Sequence, residues 1–448
     1  MSEPSLEFIN HASVLIKNKE VSLLSDPWYQ GDAFHKGWKL VHELSDTEIG
    51  SLLDRTSHIW VSHEHPDHFS IMFFKKFSDQ IKKRNIQILF QNTTDKRVEG
   101  FLRSCNFNIK ILETDKWVEI GDDFRILNFK DGFYDSGLTI NTGGKKFLNL
   151  NDCEIKTPSR CKEILNKVGE CDVLISQFSY AAWKGGKENI EWRKLAAREK
   201  LETLTLQVEY FKPSMLIPFA SYVYFSNEVN HYLNDSSNKP ESVVNHFKEN
   251  INLNVRVMKP FEIINNYEVD IDSTSAVSFW KSSFKKSLEA GPQQFIKKDI
   301  EELKSSFLIY KERLFKNNSQ FLIKTIKNFS PIPAFKPITI HIIDLNQNIS
   351  IDLFSKQLMV VNDEPDISMM SESLDFIFKN TFGYDTLTVN GCFEEKKSGG
   401  FAKMTKLLAI ENLNNIGIYI KLSIVFRFDI IIMFIKRLSA VNKKIKNA

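Results

Sequence analysis

Cysteine is scarce in this 448-residue chain and never paired at short spacing: Cys105, Cys153, Cys161, Cys171 and Cys392 include no C-x-x-C. An odd count without such spacing argues against a disulfide framework and suits a reducing compartment, so a cytoplasmic location is expected. An excess of one charge is also missing. The 59 basic and 56 acidic residues leave a net +3, so no nucleic-acid partner and no charged membrane surface is expected. No uninterrupted apolar run reaches spanning length. The most apolar segment, IGIYIKLSIVFRFDIIIMFIK from Ile416, is broken by Lys421, Arg427 and Asp429. No integral membrane segment is therefore expected, and a buried terminal helix or strand pair is. The opening MSEPSLEF lacks the basic start and apolar core of a secretory leader. What remains, 42% hydrophobic and 26% charged residues over a length suited to two domains, describes a soluble globular protein.

Histidine is scarce as well, which makes its distribution informative. Of ten, three fall in WVSHEHPDHFS, from Trp60 to Ser70, where His63, His65, Asp67 and His68 crowd into six residues. Imidazoles and a carboxylate directly after a short apolar strand can converge on Zn, Fe or Mn. His63 and His65 are two apart in an extended segment, so they point to one side and can grip one ion. Asp67 and His68 follow the turn at Pro66 and can grip a second. One or two divalent metal ions, Fe or Zn, are the expected cofactors.

The surrounding chain alternates strand, polar loop and helix. SVLIKNKEVSLLSDPW reads as a hairpin, HIWV as a buried strand, SIMFFKKFSDQIKKR as helical, and IQILFQN, FRILNFKDG and KKFLNLNDCEI as further strands. Leu201, Leu204, Val208 and Phe211 follow helical spacing up to Pro213, and MLIPFASYVYF reads as the last strand of this part. Ile300, Leu303, Phe307, Tyr310 and Leu314 mark a second helix, and NFSPIPAFKP a Pro-rich boundary. ITIHII, ISIDLF, QLMVV and TLTVNGCF then read as strands around a helical SESLDFIFKN. The expected class is α/β (α+β), with a catalytic domain over 1–270, a helical linker region over 271–336 and a smaller C-terminal α+β domain over 337–448.

The His-x-His-x-Asp-His loop resembles the hallmark of the metallo-β-lactamase superfamily, which implies an αββα sandwich. On that resemblance Asp26, in LLSDPW, orients a ligand histidine, and Asp152, at the end of LNLNDC, bridges metals. DPWYQGDAFHKGW, DSGLTINTGGKKFLNLNDC, SQFSYAAWKGG, EWRKLAAREKLETL and IPFASYV together resemble the CMP-N-acetylneuraminate hydroxylase branch, over roughly Leu6 to Phe261. Such enzymes hydroxylate the N-acyl group of a nucleotide-linked amino sugar, using iron and electrons from a Rieske cluster. Two departures matter. The chain carries no Cys2His2 set at close spacing for such a cluster, so a separate electron-transfer protein is implied. Hydrolytic members use two further histidines, where this chain has NFKDGFYDS and IPFASYV; Asp131 or Asp135 can supply a carboxylate instead. A carboxylate-rich set shifts preference from zinc toward iron or manganese, and a site with one ion stays open.

Other candidates are weaker. His11 is a core histidine or a catalytic group near the cleft, and Tyr222 faces substrate or packs in the core. Lys194 and Arg198, four apart on one helix face, are candidates for binding a substrate phosphate. KGGK at 184–187 can cradle an anion but lacks P-loop spacing. The segment from Pro337 to Leu413 resembles a sterol-carrier-protein-like domain. Two functions compete for a small-molecule substrate. One is an iron-dependent monooxygenase acting on a nucleotide-sugar or related N-acyl compound. The other is a hydrolase of esters, lactones or phosphodiesters, in which Asp67 orients a metal-bound hydroxide.

Overall fold

The computed structural model describes residues 3–250, 253–265, 267, 272–330 and 333–422. The apolar stretch after 422, expected to form a terminal helix or strand pair, lies outside them. Among the described residues no helix is long and apolar enough to cross a membrane. The chain divides into two compact units, Met1–Gln294 with Val389–Gly391, and Phe295–Thr388 with Cys392–Ala448. The division at 294/295 falls inside the 271–336 span.

Period-two patterning builds the first unit. In the strands Ser5–Asn10, Ser13–Asn18, Val21–Ser25, His58–Val61 and Gln87–Gln91, Leu6, Phe8, Val14, Ile16, Leu23, Trp60 and Leu89 belong to one buried cluster. Their neighbours Leu15, Leu24, Ile59, Val61, Ile88 and Phe90 belong to another. Successive strand residues point to opposite faces, so this sheet is covered on both. One face meets Phe124, Ile126, Leu138, Ile140 and Phe147 of a second sheet. The other meets Ile49, Leu52 and Leu53 of the helix Asp46–Asp54 and Phe73 and Phe74 of Ile71–Lys76. On the second sheet pack the helices Pro158–Val168, Ile190–Phe211 and Pro240–Asn250, which insert Ile164, Leu204, Val208 and Phe247. The result is an αββα sandwich, the layering that the sequence resemblance implies.

Each sheet has seven described strands. Val21–Ser25, His58–Val61 and Gln87–Gln91 run parallel in the first. Lys145–Asn151, Val173–Gln177 and Met215–Phe219 run parallel in the second. Parallel strands gather their carboxyl ends at one edge, where open α/β sheets bind ligands. Asp26, the loop 62–68 and Asp152 directly follow three of those ends.

Three local expectations change. SIMFFKKFSDQIKKR forms two short helices, Ile71–Lys76 and Ser78–Lys83, with Phe77 as C-cap of one and N-cap of the next. MLIPFASYVYF splits at Ala220, whose φ of +47° turns the chain, into Met215–Phe219 and Val223–Phe225. It is not the last strand: Glu262–Ile264 returns to pair with Ser5–Asn10. TLTVNGCF is not one strand. Gly383–Asn390 is helical, with Tyr384 and Leu387 three apart and buried, and only Phe393–Glu395 extends. Burial spacing there overrides the β-branched run.

In the second unit a five-stranded described sheet runs in the order Met359–Val361, Gln347–Ile351, Ile338–Ile342, Ile367–Met369, Phe393–Glu395. Ile338, Ile340, Ile342, Ile349 and Ile351 are fully buried at alternate positions. The helix Ile300–Asn317 starts at a capping box of Asp299 and Glu302 and buries Leu303, Phe307, Tyr310 and Leu314. This unit is α+β, and it includes the helix Ile300–Asn317, which lies in the span expected as a helical linker.

Candidate metal centre

Two backbone positions aim the site. Asp26 and Asn151 have φ of +37° and +34°, a region that costs a non-glycine residue about 1–3 kcal/mol and persists only when the surroundings over-determine it. Each sits at a strand end, so the turns present the Asp26 and Asp152 carboxylates to the loop 62–68. That loop is pinned through the Ser62 carbonyl, which accepts from Gln91 Nε2 at 2.8 Å and Ser136 Oγ at 2.7 Å. The Ser62 hydroxyl donates to Asp26 Oδ2 at 2.7 Å and lies 2.9 Å from His63 Nδ1. His68 Nδ1 donates to the same Asp26 oxygen at 2.9 Å. Asp26 thus fixes the tautomer of His68 and leaves its Nε2 for the site.

The atoms so exposed converge. His63 Nε2 lies 2.9 Å from His65 Nδ1 and 3.6 Å from Asp135 Oδ1. His68 Nε2 lies 3.5 Å from Asp67 Oδ2 and 3.4 Å from Asp152 Oδ2. His11 Nε2 lies 3.4 Å from Asp67 Oδ2, its ring edge-on to Trp28. Three overlapping groups of donors result: His63, His65, Asp135; His11, Asp67, His68; and His63, His68, Asp152 between them. Donors held about 2.1 Å from one ion stand roughly 3.0–3.4 Å apart, so most of these separations suit metal ligands.

The protein alone does not satisfy every polar atom of these side chains. His68 Nε2, His11 Nδ1, Asp67 Oδ1 and Asp135 Oδ1 are all buried without a hydrogen-bond partner. An unmet buried polar atom costs about 1–3 kcal/mol; two of these four, His68 Nε2 and Asp135 Oδ1, are among the converging atoms, which fits a bound cation. The donors are all nitrogen and oxygen, and each outer group is two imidazoles with one carboxylate, a set that suits iron, manganese or zinc. Buried His/Asp groups of this kind can hold one or two metal ions.

Electrostatics separates the groups. Burial pulls His68 down, but the Asp67, Asp152 and Asp26 carboxylates outweigh it and raise its pKa well above the usual value. Burial lowers His63 well below its usual value. Burial opposes ionisation of Asp152, but the His68 imidazole prevails and holds its pKa low. Asp135 is pushed up to about 7 by burial, and Glu64 likewise to about 7.

The other candidates are placed elsewhere. Asp131, cross-strand neighbour of Asp135, is occupied: its carboxylate accepts from Arg160 Nε at 3.0 Å and from the Glu154 amide at 2.6 Å. Tyr222 is a core residue, fully buried, its ring tilted against Trp280 at a centroid distance of 4.2 Å and its hydroxyl donating to the Pro218 carbonyl at 3.1 Å. Lys194 pairs with Glu191 and Arg198 with Glu202 on the exposed face of Ile190–Phe211. Ser62, Gln91 and Ser136 escaped sequence reasoning; a small polar residue just before the histidine loop was the one available signal, for Ser62.

No family model matches the chain. It is similar to the cytidine monophosphate-N-acetylneuraminic acid hydroxylase of Danio rerio, 26% identical over 253 residues, which cover 53% of this chain and 41% of that protein. It is similar to the Mus musculus hydroxylase, 25% identical over 375 residues, 77% of this chain and 63% of that one. The chain thus spans less than two thirds of either relative. Among solved structures, CmlA, a diiron β-hydroxylase from Streptomyces venezuelae, aligns at a TM-score of 0.38 and 13% identity, over 66% of this chain and 53% of that one.

Proposed function

We propose that this chain is an iron-dependent hydroxylase. His63, His65 and Asp135 hold one ion, His11, Asp67 and His68 a second, and Asp152 lies between. The substrate is the N-acyl group of a CMP-linked sugar of the N-acetylneuraminate type, and a separate protein delivers the electrons. One observation carries this reading: two groups of two imidazoles and one carboxylate, without sulfur, converge, and the protein leaves His68 Nε2 and Asp135 Oδ1 among them without a hydrogen bond. Similarity to curated hydroxylases supports it.

Bound iron supplies dioxygen activation. The balance is one C–H bond, O2, two electrons and two protons giving C–OH and water. The chain's part is positional. Asp26 keeps the His68 proton on Nδ1, and Ser62 ties both His63 and His68 to that carboxylate. The low pKa of Asp152 keeps it an anion between the two groups.

The test is incubation of iron-loaded protein with CMP-N-acetylneuraminate, a reductant and isotopically labelled dioxygen, followed by mass spectrometry. One labelled oxygen in the N-acyl group is expected. Zinc uptake with hydrolysis of a generic ester or phosphodiester, and no label, would assign the same residues to hydrolysis, with Asp67 orienting the water.

A further inference from the structure

Past Asp152 the chain lines a second cavity, of about 100 Å3, with Cys153 and Glu154. Gln177, at the end of the neighbouring parallel strand, lines it too, as do Lys184 of the KGGK loop and Lys200 of the helix Ile190–Phe211. Both lysines are half-buried, and burial lowers the pKa of each. An ammonium carries three donors. Lys200 uses one, to Gln177 Oε1 at 2.8 Å. Lys184 makes no hydrogen bond or ion pair among the described residues. Two acids line the same cavity, Glu154, which pairs with Lys156, and Glu199, which is largely exposed; Asp152 lies against His68. Two desolvated cations with spare donors therefore share one small cavity beside the metal centre.

Their positions are set in advance. Arg193 is 1% exposed and clasps Asp235 through Nε at 2.9 Å and Nη2 at 2.7 Å. Its remaining donors reach the carbonyls of Gly186 at 2.6 Å and Lys187 at 3.0 Å, which fixes the loop carrying Lys184. A fixed backbone at Lys184 and the Gln177 hydrogen bond at Lys200 lower the ordering cost of binding an anion. A cavity of about 100 Å3 has room for a phosphate or carboxylate group.

We propose that this cavity is an oxyanion subsite, in which Lys184 and Lys200 hold a phosphate or carboxylate group of the substrate next to the reacting centre. The word substrate rests on the hydroxylase reading; the anion site does not.

The test is calorimetric titration of the metal-loaded full chain with inorganic phosphate and, separately, with acetate. Wild type, Lys184→Gln, Lys200→Gln and Lys200→Arg are compared, with metal content measured in each. The expected result is at least a tenfold loss of anion affinity in both Gln variants, retention in Lys200→Arg and unchanged metal. Tighter phosphate than acetate identifies a phosphate subsite, and the reverse a carboxylate subsite. Equal affinities in wild type and both Gln variants, or no binding to wild type, would overturn the proposal. Lysine-dependent binding in protein that takes up no metal would uphold the subsite while ending the hydroxylase reading.

Discussion

In the second unit, Glu411 receives Arg313 through two hydrogen bonds of 2.5 and 2.8 Å, Asp352 receives Lys327 at 2.8 Å, and Asp366 receives Lys403 at 2.7 Å. At the strand ends of the first unit, Asp67, Asp135 and Asp152 face imidazoles at 3.4–3.6 Å instead, and two of the three keep an oxygen with no hydrogen bond. Both regions take carboxylates out of water, which is costly without compensation. The second unit compensates these three carboxylates with its own cations. On the proposed reading, a cation from solution completes the strand-end cluster. On that reading, the difference separates a carboxylate kept for stability from one kept for chemistry.

The contrast can be broken from either side. Arg313→Met leaves Glu411 buried and unpaired, so urea unfolding should show a loss of about 3 kcal/mol, with metal content unchanged. Ser62→Ala removes the hydroxyl that joins Asp26 to His63. Its expected effect is a roughly 10- to 100-fold weaker metal affinity in competition with a chelator, and little change in chelator-stripped stability. Asp135→Asn should act opposite to Arg313→Met in stripped protein. It removes a carboxyl that burial disfavours as an anion, so thermal unfolding at neutral pH should shift upward slightly while metal affinity falls. Lys194→Ala and Arg198→Ala delete exposed i,i+3 and i,i+4 pairs. Stability should move by less than about 0.5 kcal/mol, and turnover should stay within a factor of about two of wild type.

The layered fold was legible because buried strands keep period two and their ends carry acids and histidines. The cluster was legible where its members are contiguous, in the loop from His63 to His68. It was less so where they meet only through folding. NFKDGFYDS offered Asp131 and Asp135 equally; the hairpin register puts them opposite each other, and Arg160, from a helix distant in sequence, captures Asp131. Helical spacing placed Lys194 and Arg198 together, but which face meets the sheet depends on Ala196, Ala197, Leu204 and Val208, which are buried. Tyr222 follows a strand end that turns inward at Ala220, so its ring enters the core. Ser62, Gln91 and Ser136 act through hydrogen bonds to one carbonyl and one hydroxyl, and no spacing rule announces such bonds.

The most direct measurement of the central claim is metal content by mass spectrometry of protein purified with iron and zinc both supplied, for wild type, His63→Ala and His68→Ala, each checked for folding by circular dichroism. The account predicts one to two ions per chain in wild type, with iron retained, and loss of bound metal in both folded variants. Stoichiometric metal in either folded variant, or none in wild type, would contradict it.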